Sequence, residues 1–291
     1  MSETINIAVI GGSGLYNMPE ITDVSTRHID TPYGPTSADI VIGTLRGKRV
    51  AFLPRHGKGH VFTPSTVPYR ANIWALKSLG VRFIVAVNAC GSLREDYAPG
   101  HIVIPDQLFD HTKAERGGRS FFDTGLVGHI GVADPFSPEL SGVLYAAVQS
   151  AGGTAHNGGT FIIIEGPRFS TRGESRIYQQ WGCSIIGMTT CPEAFLAREA
   201  EIAYATMAHI TDYDVWHEEA VTVDMVMQTF HQNLELAQQA VAAAVERIDE
   251  HADYAAHTAL TSAIMTDSSV RSPEVLERLR HIVGRLLSTA T

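Results

Sequence analysis

Asp212 and Asp214 stand two residues apart at the end of an apolar run, 202–210. On an extended backbone both carboxylates point to the same side. Two acids so close raise each other's proton affinity, and burial raises it further. One can then keep its proton near neutral pH and act as a general acid, while the other accepts a hydrogen bond. A purine leaving group suits such a pair, because departing negative charge must be met at a ring nitrogen. Acceptor-rich acids further favour a 6-amino group over a 6-oxo group. The same spacing also serves a surface turn closed by Asx hydrogen bonds. A metal-binding pair finds no matched His or Glu cluster in the sequence.

A second set of residues suits an oxyanion. Arg55 and His56 follow a strand-like run; Arg offers a planar donor fork and His a further donor. Gly11-Gly12-Ser13-Gly14 follows another, where glycines bring backbone amides close to an anion and Ser13 adds a hydroxyl. Thr190 and Glu193 have capping-box spacing, so a helix should begin near Cys191, with Thr190 as its cap. Thr189 can then bind an anion at the free amides of that helix start, and Met188 offers a soft apolar surface to a sugar edge. Phe169 and Ser170 lie in Glu165-Gly166-Pro167-Arg168-Phe169-Ser170, between a strand and a second capping box at Thr171 and Glu174. The Phe169 ring can stack on a flat heterocycle. Each segment has a plainer reading: a tight turn, a solvated basic loop, a helix cap, a core phenylalanine. Together they suit a site that holds a purine nucleoside beside inorganic phosphate.

Rival chemistries leave weaker traces. A dinucleotide fingerprint needs a third glycine, and the chain has Gly12-x-Gly14-x-x-Asn17, although Asp30 lies near the distance of a ribose-binding acid. No P-loop lysine follows the glycines. His56 and His60 are four apart, but the glycines between them oppose the helix that would align metal ligands.

The elements that position these residues alternate. Strands are expected at 5–10, 39–45, 49–53, 83–87, 160–164 and 202–210. Helices are expected at 69–79, from Ser137 to Gly152, after Thr171, after Thr190, over 222–248 and over 273–287. This predicts one α/β domain over 1–291, with a central mixed, mostly parallel sheet flanked by helices and a C-terminal helical extension from about residue 251. Sites in such sheets lie in loops at strand ends, where every segment above falls.

Composition narrows the partners. The 291 residues are 44% apolar and 18% charged with a net charge of −9, and no long Lys/Arg run occurs, which argues against nucleic acid or an anionic membrane. No apolar run approaches a membrane span, and the N-terminus does not read as a signal peptide. The cysteines Cys90, Cys183 and Cys191 form no CxxC pair and fit reduced thiols in a cytoplasm.

In this order the motifs Ile10–Leu15, Arg55-His56-Gly57, Tyr69–Leu76, Ala89–Arg94, Glu165–Ser170, Gly187–Glu193 and Thr211–Asp214 resemble the trimeric purine nucleoside phosphorylase family, over nearly all of residues 5–245. The resemblance is strongest to its branch acting on 5'-methylthioadenosine. It implies reversible phosphorolysis of that nucleoside to adenine and 5-methylthioribose 1-phosphate, or of another 5'-modified adenosine or adenosine itself, with no metal or organic cofactor. Ser13, Arg55, His56 and Thr189, with the Ala89 backbone, match the family's phosphate positions. Met188 matches the residue against the ribose, Phe169 and Ser170 the purine loop, and Asp212 and Asp214 the acids that read adenine. Val223 and Val226 match an apolar pocket for the 5' group. His129 matches a residue lent to a neighbouring subunit, which implies a homotrimer or a dimer of trimers. The chain departs from some members at Asn88, where they carry threonine, and at Gly187, where they carry asparagine. From about His251 onward the family pattern is lost. A nicotinamide-dependent oxidoreductase and a non-catalytic nucleoside-binding protein are the readings from other classes.

Overall fold

A computed structural model describes residues 4–12, 14–15, 18–217 and 221–288. In chain order its elements are β1 (Ile7–Gly11), β2 (Thr22–Arg27), β3 (Ile40–Leu45), β4 (Lys48–Pro54), α1 (Tyr69–Ser78), β5 (Phe83–Ser92), β6 (Ile102–Ile104) and β7 (Gln107–His111). There follow α2 (Pro138–Ser150), β8 (Ala155–Asn157), β9 (Thr160–Ile164), α3 (Arg172–Gln180), β10 (Cys183–Gly187), α4 (Thr190–Glu199) and β11 (Ala203–Asp212). The chain closes with α5 (Val223–Gln232), α6 (Leu234–Arg247), α7 (Pro273–Arg278) and α8 (Arg280–Ser288).

The strands form one mixed sheet in the order β2-β3-β4-β1-β5-β10-β9-β7, with β11 pairing β5 and β6, and β8 pairing β6. Alternate residues of a strand face opposite sides. In β1, Ala8 and Ile10 enter one core with α1 and α4, while Ile7 and Val9 enter the other with α2 and α6. Leu279, Ile282 and Val283 from the C-terminal helices join the first core beside Trp74 and Ala75.

One feature of this sheet creates a crevice. β5 pairs in parallel with β1 only as far as Ile10 and Ala86. On the same side it then pairs antiparallel with β10, starting at Gly91 and Ile186. Residues 87–90 therefore lie where β1 and β10 diverge, with backbone free of a strand partner on that edge. The other edge of β5 is covered by β11, from Ala203 opposite Phe83 to Asp212 opposite Gly91. Ligands settle at such divergences in open sheets.

Three local expectations give way to tertiary packing. The helix expected over 222–248 divides at Asn233, where φ −97° and ψ 2° end α5, and α6 continues at Leu234. The helix expected over 273–287 divides in the same way at Leu279, which is wholly buried. The capping box expected at Thr190 does not form: Thr190 Oγ1 has no partner, and Cys191 is non-helical with φ −105° and ψ 131°. Glu193 instead pairs with Arg55. The box at Thr171 and Glu174 does form, with both reciprocal bonds.

Candidate active site

A cavity of about 310 Å³ opens at the crevice, lined by Val87, Asn88, Ala89, Cys90 and Gly91 from β5. Around it gather Gly12 after β1, Arg55 and His56 after β4, and Phe169 and Ser170 after β9. Met188 and Thr189 follow β10, and Asp212 and Asp214 come from the end of β11. The structure thus brings together nine of the residues singled out in the sequence: Arg55, His56, Ala89, Phe169, Ser170, Met188, Thr189, Asp212 and Asp214. Val226 joins them from α5. Ser13 lies outside the described residues. Val223 sits in the first turn of α5, is 65% exposed and is not among the lining residues; Met227 and His231 line that end. His129 is exposed, apart from its own chain's cavity, and its backbone N–H donates to the Ala263 carbonyl at 2.9 Å.

The carboxylate pair does not rest on an extended backbone. Asp214 has φ 51° and opens a short 3₁₀ turn, Asp214–Trp216. Its backbone N–H donates to Asp212 Oδ1 at 2.8 Å, and the Thr211 hydroxyl donates to Asp212 Oδ2 at 2.7 Å. The Asx turn and the clustered acids are one arrangement. Burial pushes Asp212 up to about 6, against those two hydrogen bonds, and the charge of Asp214 adds the least. Burial also raises Asp214, with Ser175 and the Val215 amide opposing. Mutual repulsion, expected as a main cause, is a minor one here; desolvation dominates. Asp214 Oδ2 is buried without a well-formed hydrogen bond, and Ser175 Oγ, near enough to oppose the rise, completes none either. Gly91 makes room for the pair: a Cβ there would stand 2.9 Å from Asp212 Oδ1 and 3.2 Å from Asp214 Cβ. Ser170 Oγ is a second buried polar atom in the lining without a partner.

Arg55 is 3% exposed, and much of its fork is already engaged. Its Nε and Nη2 donate to the two oxygens of Glu193 at 2.7 and 2.8 Å, and Nη1 donates to the Val87 carbonyl at 3.0 Å. Glu193 Oε1 also accepts from the Tyr204 hydroxyl at 2.8 Å. Burial pulls the Arg55 pKa down, but the charge and hydrogen bonds of Glu193 outweigh it, and the net shift is upward. A guanidinium carries five N–H groups. Two of them, one on each terminal nitrogen, remain after these three bonds.

His56 is neutral at ordinary pH. Burial takes its pKa down to about 4, and the charges of Arg55 and His60 add to that against the bond to Phe62. Its Nδ1 lies 2.8 Å from the Phe62 carbonyl, which can only accept. The neutral ring therefore carries its proton on Nδ1 and presents a lone pair at Nε2. Gly57, Gly59 and His60 all have positive φ, so the loop folds back and stacks the His60 ring on His56 at 4.2 Å. Among the described residues no group of three or more His, Cys, Asp or Glu could hold a metal ion. The glycine turn after β1 leads into strand β2, not a helix, and Asp30 is a fully exposed partner of His28, which removes the dinucleotide geometry.

Sequence reasoning missed the residue that ties the loops together. Arg116 is 1% exposed and donates to five carbonyls: Pro64, Met188 and Cys191 through Nη1, and Ile164 and Glu165 through Nη2. It thereby fixes the segments carrying Met188, Thr189 and Phe169. Glu165 in turn accepts from the Lys113 and Ala114 amides at 2.6 and 2.9 Å and from the Ser65 hydroxyl. A single arginine between Glu115 and Gly117 carries no periodic signal. Glu193 was legible only as a capping residue, and Asn88 only as a departure.

At one end of the cavity an oxyanion would find the two free Arg55 donors, Thr189 and the edge of β5. At the other, a heterocycle would find Phe169, Ser170 and the acids. Met227, 45% exposed, and His231 leave the α5 side more open.

The chain is similar to known proteins in sequence and in fold. The family model described as the phosphorylase superfamily matches residues 6–246. The chain is similar to the S-methyl-5'-thioadenosine phosphorylase of Chloroflexus aurantiacus, 54% identical over 97% of this chain and 98% of that protein. The protein of the same name from Geobacter sulfurreducens is 51% identical over 96% and 98% of the two chains. Among solved structures, a methylthioadenosine phosphorylase from an antarctic soil metagenomic library superposes with a TM-score of 0.91 at 50% identity, covering 96% of this chain and 99% of that one. The Schistosoma mansoni methylthioadenosine phosphorylase in complex with adenine gives 0.79 at 38% identity, over 83% and 91%.

Proposed function

The chain belongs to the phosphorylase superfamily, and from that membership and the cavity we infer that it is a purine nucleoside phosphorylase acting on 5'-methylthioadenosine. It cleaves the nucleoside reversibly with phosphate to adenine and 5-methylthioribose 1-phosphate. The observation that carries the reading is the buried acid pair, one member raised to about 6 and the other with an unpaired oxygen, in one cavity with Arg55 and Thr189.

In this mechanism phosphate is the co-substrate and no metal or organic cofactor takes part. Arg55, Thr189 and the Ala89 backbone hold phosphate beneath the anomeric carbon, which turns an encounter into a positioned attack. Ser13 is assigned to the same subsite. His56, with its lone pair at Nε2, accepts from the hydroxyl of hydrogen phosphate. Met188 lies along the ribose and Phe169 stacks on the base. The glycosidic bond stretches first; phosphate steadies the positive sugar, and protonated Asp212 meets the charge growing at N7. Asp214 Oδ2 accepts from the 6-amino group, whose donor an oxo group lacks. Val226 and Met227 contact the 5' substituent. His129 completes a neighbour's site in a homotrimer, in which exposure on its own chain is the expected state. The protein works in the cytoplasm.

The openness of the α5 side favours one second reading, a phosphorylase for another 5'-modified adenosine or for adenosine. Adenine release, followed by ultraviolet absorbance with and without phosphate, tests both across 5'-methylthioadenosine, adenosine, inosine and a 5'-halogenated adenosine. Phosphate-dependent release, fastest from 5'-methylthioadenosine, is expected. Release without phosphate, or none at all, overturns phosphorolysis; a faster rate on another 5' group selects the second reading.

A further inference from the structure

Three side chains behind the phosphate end form a hydrogen-bonded line. Thr206 of β11 lies two positions before Ala208, the partner of Asn88 across the β5–β11 ladder. Thr206 Oγ1 is 2.6 Å from Asn88 Oδ1, and Asn88 Nδ2 is 2.8 Å from Thr189 Oγ1. All three are buried, Thr206 completely and Asn88 and Thr189 to 5% and 8% exposure. Asn88 and Thr189 line the cavity; Thr206 does not.

The direction of the line follows from its lengths. O–H···O bonds run shorter than N–H···O bonds, and 2.6 Å lies in the hydroxyl range. Thr206 therefore gives its one proton to Asn88 Oδ1, and not to the Ala86 carbonyl at 3.2 Å. With its oxygen so fixed, the Asn88 amide must present N–H to Thr189. A threonine hydroxyl that accepts there keeps its own proton for another partner. With the amide reversed, Thr189 would donate to Asn88 instead and offer a ligand only lone pairs, which repel an oxyanion.

We propose that Thr206 is a positioning residue: acting through Asn88, it turns the Thr189 hydroxyl into a committed donor to phosphate. The proposal rests on the assignment of Thr189 to the phosphate subsite. Thr206 touches no substrate, so its effect is confined to the oxyanion. Affinity for the nucleoside, read at the far end of the cavity, is independent of it.

The test is steady-state kinetics on the full-length enzyme, with phosphate and 5'-methylthioadenosine varied separately, for Thr206→Val and Thr206→Ser. Thr206→Val keeps the branched shape and removes the donor. It should raise the KM for phosphate about tenfold, the scale of one hydrogen bond to a charged ligand. The KM for nucleoside should stay within about twofold of the parent, and Thr206→Ser should restore the phosphate KM. In a Thr189→Val background Thr206→Val should add nothing, because no hydroxyl is left to orient. Should Thr206→Val not fold, Thr206→Ala carries the same expectation. An unchanged phosphate KM overturns the proposal. So does an equal rise in both KM values, or a Thr206→Ser defect as large as that of Thr206→Val, since either marks a purely structural role. The functional reading fails differently: the parent enzyme would then release no adenine with phosphate.

Discussion

The backbone N–H of Asp214 donates to the Asp212 carboxylate at 2.8 Å, so one acid is held by the main chain of the other. With Thr211 on its second oxygen, both oxygens of Asp212 are already held before a base binds. Such preorganisation is what electrostatic catalysis requires. Asp212→Asn keeps the shape and both local bonds, since the new amide can donate to Thr211 Oγ1. It removes only the transferable proton. The kcat for 5'-methylthioadenosine should fall about 10²–10⁴-fold, measured as adenine release at saturating phosphate. A parent-like rate would remove Asp212 as the acid.

Asp214 carries the complementary prediction. Its Oδ2 lacks a partner, and its φ of 51° is one that asparagine tolerates well. Asp214→Asn should therefore fold normally while offering an N–H where the acid only accepted. Discrimination between 5'-methylthioadenosine and 5'-methylthioinosine should fall by about 1–3 kcal/mol, roughly 5- to 150-fold in the ratio of kcat/KM values. An unchanged ratio would show that the 6-substituent is read elsewhere.

Arg55 and Glu193 form a pair whose two halves answer differently to mutation. Arg55→Ala strands a carboxylate that is 1% exposed, and breaking a buried pair by removing one partner costs about 3–5 kcal/mol. The variant should unfold earlier on heating, besides needing more phosphate. Glu193→Gln keeps the fold's volume and an acceptor for Arg55, and should cost less in stability while letting the guanidinium shift. Thermal melting with and without phosphate separates the two effects. Equal melting of Arg55→Ala and parent would contradict the buried pairing.

Much of this was legible beforehand, for identifiable reasons. Residues 160–164 form an isolated β-branched run between turns, and the strand observed there has those bounds. The box at Thr171 and Glu174 forms although Arg168 also holds Glu174, because that partner is local and leaves Glu174 Oε2 within reach of the Thr171 amide at 2.7 Å. At Thr190 the same pattern misleads, because Glu193 is taken by Arg55, 138 residues away, and local spacing carries no trace of that partner. Asp212 and Asp214 were legible as a pair, and burial was named among the causes of a raised pKa, but its dominance over mutual repulsion was not legible, since the depth of burial depends on β5 and Gly91. Val223 is exposed while Val226 lines the cavity, a difference that motif matching does not give, since it supplies a helix position without its exposure.

The raised pKa of Asp212 sets a final prediction that joins activity to stability. Only the protonated form can give a proton, so kcat/KM should hold below a pH of about 6 and fall up to tenfold per unit above it, once other titrations are allowed for. The same shift acts on folding. A carboxyl held above its unfolded value near 3.9 binds its proton more tightly when folded. Its contribution is therefore fully present below that value and is lost as pH rises through about 6. At pH 8 the ionised, buried acid weakens the empty protein by an amount on the order of 1–3 kcal/mol. Asp212→Asn is free of that penalty. It should melt several degrees higher than the parent at pH 8, while the gap should close near pH 4. Melting curves at the two pH values decide the matter: a gap of equal size at both, or none at pH 8, would mean that Asp212 is not the desolvated acid on which the proposed proton transfer depends.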